Sequence, residues 1–311
     1  MLAKISIIGA GNVGATTAQR LAEKNFADIV LVDIIEGLPQ GKALDMMESA
    51  PIIGFDACIT GTNDYQATAD SDVVVITSGL ARKPGMSRDE LLQANARILT
   101  GVTGQVVKYS PECVIVMVTN PVDVMTHLAL KVSGFAPNRV LGLSGVLDGT
   151  RLSSFIAAEL GVSVADVFSC VIGEHGKNMI VIPRLCTAGG ITITSLLPPE
   201  TVDRLVARTV NGGAEIVELL KTGSAFYAPA AAITRMVEAI ILDKKQTMPC
   251  VAYLRGEYGI KDAVISLPVK LGRNGIEEIV ELELTDSEQR SLTASAEAVR
   301  ELVKTMTSGK R

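Results

Sequence analysis

Short runs of β-branched and aliphatic residues alternate with longer segments of helical periodicity through the first half of this chain. The runs predict strands at residues 4–8, 28–32, 57–60, 72–77 and 113–118 and, left open as a sixth, at 140–143. The periodic segments predict helices over about 13–24, 37–49, 87–108 and 121–132. Apolar strands that alternate with helices need crossover connections, which are typical of a parallel sheet covered by helices on both faces. We therefore expect an α/β fold with a doubly wound parallel sheet.

The pattern changes after about residue 145. Helices are predicted over about 147–160, 199–221, 228–242 and 286–305. Strands are predicted near 167–172 and 179–183, then as an antiparallel hairpin at 249–254 and 262–270 with a further strand near 279–284. Thr285 and Glu288 have the spacing of a capping box at the start of the last helix. We expect two domains, residues 1–145 with the doubly wound sheet and residues 146–311 with an α+β fold.

Composition excludes several classes of protein. The 311 residues include 29 Lys and Arg against 34 Asp and Glu, a net charge of −5, which does not suggest a nucleic-acid-binding face. Hydrophobic residues make up 48%, which is too many for a disordered chain, and no apolar run is long enough to predict a membrane span. We expect a cytoplasmic protein that binds neither nucleic acid nor membrane.

The five cysteines are scattered along the chain and lack CxxC spacing: Cys58, Cys113, Cys170, Cys186 and Cys250. Their odd number and wide spacing argue against a disulfide framework and against a zinc site, so no metal is expected. Cys113 and Cys170 lie in apolar runs and are predicted to be small buried side chains.

A glycine motif follows the first predicted strand and opens the first predicted helix. It fits the pattern G-x-G-x-x-G and consists of Gly9, Ala10, Gly11, Asn12, Val13 and Gly14. In this context the glycines permit a tight turn, the approach of a pyrophosphate and close packing of helix on strand. The free amides of the helix N-terminus then face the phosphates. The motif predicts a Rossmann-type dinucleotide site.

Asp33 ends the second predicted strand, 19 residues after Gly14. A carboxylate at this position accepts hydrogen bonds from the adenosine ribose hydroxyls and repels a 2′-phosphate. The next residues, Ile34 and Ile35, supply no cation. The expected cofactor is therefore NAD rather than NADP.

The chain has only two histidines as proton carriers near neutral pH, His127 and His175. His175 lies between glycines in GEHG, which leaves its ring accessible. Asp148 and Arg151, in LDGTR, project from the start of one predicted helix. A base, a carboxylate that supports its cation and a guanidinium that grips an acid are what oxidation of a 2-hydroxy acid requires. His127, flanked by apolar residues, is interpreted as a packing or surface histidine.

Further candidate residues lie in two segments that follow predicted strands and on the helix between them. The loop at residues 78–88, SGLARKPGMSR, carries Arg82 and Arg88 and is predicted to be a lid that closes over an anion. Asn120 can donate to a substrate oxygen, while Val118, Thr119 and Asn120 are expected to meet the nicotinamide ribose. Asn95, on the helix after the lid, is a weaker candidate for a cofactor contact.

Several motifs together resemble the lactate/malate dehydrogenase family: GAGNVG, Asp33, GLARKPGMSRDEL, VTNPVDVMT, LDGTR, GEHG and TGSAFYAPAAA. They run in family order from residue 5 to about residue 305, and they are most similar to the lactate-dehydrogenase-like malate dehydrogenases of bacteria and archaea. The resemblance implies that the chain interconverts (S)-malate and oxaloacetate with NAD. It also implies a homo-oligomer, either a dimer or a tetramer.

The resemblance implies a role for each candidate residue. His175 would be the general acid and base, with Asp148 as its orienting partner, and Arg151 would bind the C1 carboxylate. Arg88 would polarise the carbonyl of the oxo acid. Arg82 occupies the position that separates substrates, where lactate enzymes typically carry Gln and malate enzymes Arg. An unpaired second carboxylate would be costly to bury, so a guanidinium there favours malate.

The chain departs from the family pattern beside the histidine, and alternatives stay open. Lys177 stands where relatives usually have Asp after His-Gly, and Glu174 is the form commoner in lactate enzymes; Lys177 is expected to affect the pKa of His175 or a subunit contact. A lactate or broad 2-hydroxy-acid dehydrogenase is the nearest alternative. An NAD-dependent glycosidase and a catalytically inactive NAD sensor are the others.

Overall fold

The computed structural model of the protein describes residues 2–80 and 87–308, without the side chain of Arg88. Six parallel strands form the first part of its main sheet: β1 Ala3–Ile8, β2 Ala27–Val32, β3 Ile59–Thr62, β4 Val73–Ile76, β5 Val114–Met117 and β6 Val140–Gly142. Their order is β3-β2-β1-β4-β5-β6, which is the doubly wound order with a switch point between β1 and β4. The predicted Rossmann-type sheet is confirmed, and the open sixth strand is present.

Four helices connect these strands: α1 Asn12–Glu23, α2 Leu38–Ile53, α3 Arg88–Tyr109 and α4 Val122–Ser133. The helix α3 starts at a capping box in which the Ser87 hydroxyl accepts from the Glu90 amide at 3.1 Å, and Glu90 accepts from the Ser87 amide at 2.8 Å. This box satisfies two amides that an uncapped helix start would leave free.

The second half contains five helices: α5 Gly145–Leu160, α6 Ile193–Leu196, α7 Pro199–Leu220, α8 Tyr227–Ile241 and α9 Asp286–Ser308. Its strands are β7 Val167–Phe168, β8 Val171–Gly173, β9 Met179–Val181, β10 Thr187–Ala188, β11 Ile191–Thr192, β12 Gln246–Arg255, β13 Lys261–Gly272 and β14 Gly275–Ile279. Short 3₁₀ turns lie at Tyr65–Thr68, Pro137–Arg139, Val164–Asp166, Pro183–Leu185 and Glu257–Gly259. The hairpin of β12 and β13 is confirmed, as is the capping box of Thr285 and Glu288 before α9.

Three expected strands differ in the structure. The segment 167–172 divides, because β7 pairs with β10 in a small separate sheet whereas β8 pairs with β9 and β13. The expected strand 279–284 is wrong beyond Ile279: the Leu282 amide donates to the Tyr258 hydroxyl at 2.8 Å instead of to a neighbouring strand. The third strand starts at Ile59 rather than 57, because side chains of Asn25 and Asp28 bind the preceding amides.

The main sheet does not stop at β6. Gly142 of β6 pairs with Val251 of β12, so that β12, β13, β8 and β9 extend the same sheet in antiparallel fashion. The helix α5 leaves the carboxyl end of β6 after only two residues. The start of α5 therefore lies at the sheet edge where doubly wound folds bind their ligands.

Alternate strand residues supply two separate cores. In β4, Val74 and Ile76 pack into a cluster with residues of α3 and α4, whereas Val73 and Val75 pack into a second cluster with α1 and α8. Both faces of the sheet are thus covered, which explains why the strands read as uninterrupted apolar runs. Cys113 and Cys170 are buried, as predicted, and burial raises the pKa of each thiol to about 12.

Candidate active site

The glycine loop between β1 and α1 requires glycine at two positions. Gly9 has φ +114°, a conformation that side chains rarely adopt, and a Cβ on Gly14 would lie 1.9 Å from the Gly9 carbonyl oxygen. A Cβ on Gly11 would meet nothing within 4 Å, so the loop is open on that side. The helix α1 begins at Asn12 without a side-chain cap. The free amides of its first turn therefore face an open surface suited to phosphate.

Asp33 lies next to this loop. Its Oδ2 accepts from the Ala10 amide at 2.7 Å, and its Oδ1 accepts from the Ile35 amide at 3.0 Å. Lys42, a residue that the sequence did not single out, donates from Nζ to the Ala10 carbonyl at 2.7 Å. Both polar groups of Ala10 are therefore held from the side of β2 and α2, and the Asp33 carboxylate is fixed beside the loop before any ligand arrives.

Polar side chains also tie together the ends of β4 and β5. The Thr119 hydroxyl donates to the Ser78 carbonyl at 2.6 Å. Asn95 is only 1% exposed, and its amide group accepts from the Leu80 amide at 2.7 Å and donates to the Asn120 carbonyl at 2.9 Å. Asn95 therefore bridges the two strand ends through their backbone, and this bridge positions Asn120, whose side chain is exposed.

His175 and Asp148 meet although they lie on different elements. Nδ1 of His175, in the loop between β8 and β9, lies 2.8 Å from Oδ2 of Asp148 on α5. A carboxylate offers only acceptors, so Nδ1 carries the proton, and among the described residues Nε2 has no hydrogen-bond partner on the cleft that His175 lines. Arg151, one turn along α5, donates from Nη1 to Oδ1 of the same carboxylate at 3.0 Å. The three side chains are 18%, 1% and 12% exposed for His175, Asp148 and Arg151, so the Asp148 charge acts with little screening by water.

The charges around His175 favour its protonated form. Burial alone would lower the pKa of His175, but the carboxylates of Asp148 and Asp123 outweigh burial and the opposing charge of Arg151, so that its pKa is raised above its ordinary value. The Nε of Arg151 is buried and has no hydrogen-bond partner among the described residues. A guanidinium with unused donors is suited to an anionic ligand.

Asp123 was not anticipated from the sequence. It is 2% exposed on the first turn of α4, and its Oδ2 accepts from the backbone amide of His175 at 3.0 Å. Burial raises the pKa of Asp123 to about 7. The available signal was a carboxylate within the apolar segment VDVM, directly after Asn120 and Pro121. A second polar contact to the same loop comes from Ser295 on α9, which accepts from the Glu174 amide at 2.7 Å.

A cleft of about 410 Å³ joins the two halves of the chain. Residues from the glycine loop, the ends of β4 to β6, the His175 loop and the start of α8 line it, among them Val13, Thr77, Gly79, Val118, Thr119, Asn120, Leu147, His175, Ser224 and Ala225. Four of the predicted cofactor contacts, Val13, Val118, Thr119 and Asn120, thus line the same cleft as the predicted proton carrier His175.

The other predicted residues are Arg82, Arg88, His127 and Lys177. Arg82 lies outside the described residues, and Arg88 is the first residue of α3, at the end of the same loop. His127 is half-buried on α4, where burial and the charge of Lys131 lower its pKa. Lys177 is exposed.

Across residues 2–80 and 87–308, no group of three or more His, Cys, Asp or Glu side chains is placed to hold a metal ion. Among the helices of these residues, none combines the length and the apolar character that crossing a bilayer requires.

Comparison with known proteins gives matches over nearly the whole chain. Residues 3–142 match the family model of the lactate/malate dehydrogenase NAD-binding domain, and residues 145–310 match that of the α/β C-terminal domain of the same family. A malate dehydrogenase of Methanosarcina mazei is 56% identical over 299 residues, covering 96% of this chain and 97% of that protein.

Solved structures of the same family superpose on this chain. A malate dehydrogenase from Salinibacter ruber superposes with a TM-score of 0.95 at 49% identity and 98% coverage of both chains. A lactate dehydrogenase from Cryptosporidium parvum, solved with lactic acid and NAD, gives a TM-score of 0.95 at 41% identity, with 99% of this chain and 98% of that one covered. The same backbone therefore occurs in proteins named malate dehydrogenase and lactate dehydrogenase, so the backbone alone does not separate the two activities.

Proposed function

The chain belongs to the lactate/malate dehydrogenase family, and we propose that it is an NAD-dependent malate dehydrogenase that interconverts (S)-malate and oxaloacetate. The observation that carries the chemistry is the shared carboxylate of Asp148, which lies 2.8 Å from His175 Nδ1 and 3.0 Å from Arg151 Nη1. This arrangement supports a role for His175 as the proton carrier and for Arg151 as the guanidinium that binds an anion beside it.

His175 is the proton carrier of the proposed reaction. With Nδ1 protonated and held by Asp148, Nε2 accepts the hydroxyl proton of malate in one direction and returns it to the oxygen of oxaloacetate in the other. Because Asp148 is buried, its charge stabilises the imidazolium that forms when Nε2 takes the proton. The raised pKa of His175 supports this role, since both protonation states are needed.

Arginines are proposed to hold the substrate. The buried Nε of Arg151 has no hydrogen-bond partner among the described residues, and Arg151 is proposed to bind the C1 carboxylate. Arg88 is proposed to polarise the carbonyl and Arg82 to pair with the second carboxylate; these two assignments rest on the sequence motif GLARKPGMSRDEL. A dianion needs such partners because an unpaired charge is costly to bury.

The glycine loop and the residues beside it are suited to bind NAD. Gly11 leaves the loop open, the α1 N-terminus presents free amides, and the Asp33 carboxylate is held beside them to accept ribose hydroxyls. Bound NAD supplies the hydride acceptor and donor. We propose that Gly9, Ala10, Gly11, Asn12, Val13 and Gly14 hold the pyrophosphate, and that Val118, Thr119 and Asn120 face the nicotinamide ribose. Asn95 is proposed to act on the cofactor through the Asn120 backbone that it binds.

The test compares substrates and cofactors directly. We expect NADH to be oxidised rapidly with oxaloacetate and slowly with pyruvate, and NADPH to replace NADH poorly. A preference for pyruvate would favour the lactate or broad 2-hydroxy-acid alternative. Binding of NADH without turnover of any 2-oxo acid would favour the NAD sensor.

Arg82 provides the variant that separates malate from lactate chemistry. Arg82→Gln removes the proposed partner of the second carboxylate, and we expect the ratio of kcat/KM for oxaloacetate over pyruvate to fall by at least about a hundredfold, since an uncompensated buried charge costs on the order of 3–5 kcal/mol. An unchanged ratio would show that Arg82 does not contact the substrate.

Three further proposals concern the chain as a whole. We propose a division of the chain at residues 1–145 and 146–311, a homo-oligomer that is a dimer or a tetramer, and a cytoplasmic location. The family membership and the bacterial and archaeal relatives support them. Analytical ultracentrifugation of the purified protein distinguishes the two oligomers.

A further inference from the structure

The loop that carries His175 is held by two polar contacts to its backbone. The amide of His175 donates to Oδ2 of Asp123 at 3.0 Å, and the amide of Glu174 donates to the Ser295 hydroxyl at 2.7 Å. Ser295 also donates to the Asn178 carbonyl at 3.1 Å, at the other end of the loop. The two neighbouring amides thus have acceptors of different kinds: a carboxyl group for His175 and a neutral hydroxyl for Glu174.

Burial of the Asp123 carboxyl group costs free energy. It is 2% exposed on α4, between apolar neighbours, and its Oδ1 is buried without a hydrogen-bond partner among the described residues. An amide or a hydroxyl would satisfy the His175 amide equally well and would avoid burying a carboxyl group. The single hydrogen bond therefore does not account for a carboxyl group at this position.

The imidazole of His175 is the neighbouring group whose protonated form a buried carboxylate would stabilise. Asp148 binds its Nδ1 directly, and Asp123 lies close enough for its charge to add to that effect. Among the described residues, the other charged groups that act on the pair are Arg151 from α5, which opposes protonation of His175, and Glu174 from the loop itself, which opposes ionisation of Asp123. Two carboxyl groups from two helices thus contact His175, Asp148 at the ring and Asp123 at the backbone amide.

We propose that Asp123 is a second carboxylate of the proton-transfer site, a positioning residue that fixes the backbone of His175 and whose charge strengthens the hold of the imidazole on its proton. Asp148 orients the ring through Nδ1, and Asp123 acts on the same residue through its amide and through space. The inference rests on the proposed role of His175, but the coupling of the two side chains can be measured without turnover.

The coupling predicts how the two protons behave. Loss of the Asp123 charge makes His175 less basic, because a nearby negative charge favours the imidazolium. Burial raises the pKa of Asp123 to about 7, and the charges of the two groups interact, so a proton bound to either group lowers the pKa of the other. In the reductive direction, which needs protonated His175, the activity of a variant without the charge should therefore decline at lower pH than that of the parent.

The experiment uses the fact that the chain has only two histidines. Ring ¹³C-labelled full-length protein gives two Cε1–Hε1 signals, and His127→Gln assigns them. We expect His175 to titrate at lower pH in Asp123→Asn, which keeps an oxygen for the His175 amide. Ser295→Ala is the matched control, since it removes a neutral contact to the adjacent amide, and there His175 should titrate as in the parent protein.

Activity gives the second readout. We expect the pH profile of kcat/KM for oxaloacetate to shift in the same direction in Asp123→Asn, and Asp123→Ala to lose at least about tenfold in kcat because the loop is no longer held in place. An unchanged His175 titration in a folded Asp123→Asn protein overturns this inference, whatever its activity. Absence of any turnover in the parent, with the shift still present, overturns the proposed function and leaves the coupling of Asp123 and His175 intact.

Discussion

Oδ2 of Asp148 and Nδ1 of His175 lie 2.8 Å apart although 27 residues separate them in the sequence. Asp148 comes from the helix that follows β6, and His175 comes from the loop that follows β8. Because β6 and β8 belong to one extended sheet, a strand order that spans both halves of the chain sets this distance. The sheet that carries both elements therefore positions the proposed proton-transfer pair.

Asp148→Asn tests the orientation of the imidazole. The amide of Asn can donate to Nδ1, which moves the imidazole proton to Nε2 and removes the base from the cleft. We expect kcat to fall by about 10²-fold or more, within the range for loss of a general acid or base. The affinity for NADH, measured by fluorescence titration, serves as the control and should change little, since Asp148 does not line the cleft as described.

Arg151→Lys tests whether the substrate is held by a planar guanidinium. Lysine keeps the charge but lacks the fork that binds a carboxylate through two parallel hydrogen bonds. We expect the KM for oxaloacetate to rise by at least about tenfold, with a smaller change in NADH affinity. Arg204→Lys is a suitable control, because Arg204 forms an exposed ion pair with Glu159. Equal effects of the two substitutions would argue against a substrate contact for Arg151.

Substitution by alanine at two helical glycines is expected to change the stability of the protein in opposite directions. Gly14→Ala places a Cβ 1.9 Å from the Gly9 carbonyl oxygen, so the loop and α1 must move apart. We expect a loss of about 1–3 kcal/mol in unfolding free energy and a large loss of NADH affinity. Gly104→Ala lies on the exposed face of α3 with nothing within 4 Å of its Cβ, and should stabilise the protein by up to about 1 kcal/mol. Denaturant unfolding and NADH titration of both variants check this pair.

Asp33→Asn tests the preference for NAD. The substitution keeps an oxygen for the Ala10 amide but removes the charge that repels a 2′-phosphate. We expect the ratio of kcat/KM with NADH over NADPH to fall by at least about tenfold, which corresponds to about 1.4 kcal/mol. Asp28→Asn, at the other end of β2, where the carboxylate accepts from the Cys58 amide, should leave the ratio unchanged. A constant ratio in Asp33→Asn would mean that another group excludes the phosphate.

The sequence predicted the parts of the site that depend on residue type and on strand ends. Gly9, Gly14 and Asp33 follow from one strand–helix–strand unit, and Asp148 and Arg151 share a face of one helix. Local spacing was sufficient in each case, because these contacts are set by a single element or by its neighbour.

Contacts set by the tertiary fold could not be predicted in this way. Asp123 and His175 are 52 residues apart, and Ser295 and Glu174 are 121 residues apart, and in neither case does a local pattern connect the partners. The continuation of the sheet from Gly142 to Val251 is equally non-local. The expected strand at 279–284 is wrong beyond Ile279 because the Tyr258 hydroxyl accepts from the Leu282 amide and donates to the Val280 carbonyl, which hydrophobic alternation does not reveal.

The raised pKa of Asp123 also predicts how stability depends on pH. An unfolded aspartate has a pKa near about 3.9, whereas burial raises that of Asp123 to about 7. Between these values the folded protein holds a proton that the unfolded chain has released, so this carboxyl group stabilises the fold at low pH and loses that contribution as pH rises through about 7. Asp123→Asn has no such proton and should therefore gain in stability relative to the parent as pH rises.

The measurement must exclude the titration of His175, whose raised pKa also removes stability as pH rises. His175→Gln is therefore compared with the double variant His175→Gln/Asp123→Asn, by urea unfolding at matched protein concentration from pH 4 to pH 8. We expect the difference in unfolding free energy to grow in favour of the double variant across this range and to level off above it. A difference that stays constant with pH would mean that Asp123 is ionised throughout, and that its buried charge is stabilised by a partner other than His175.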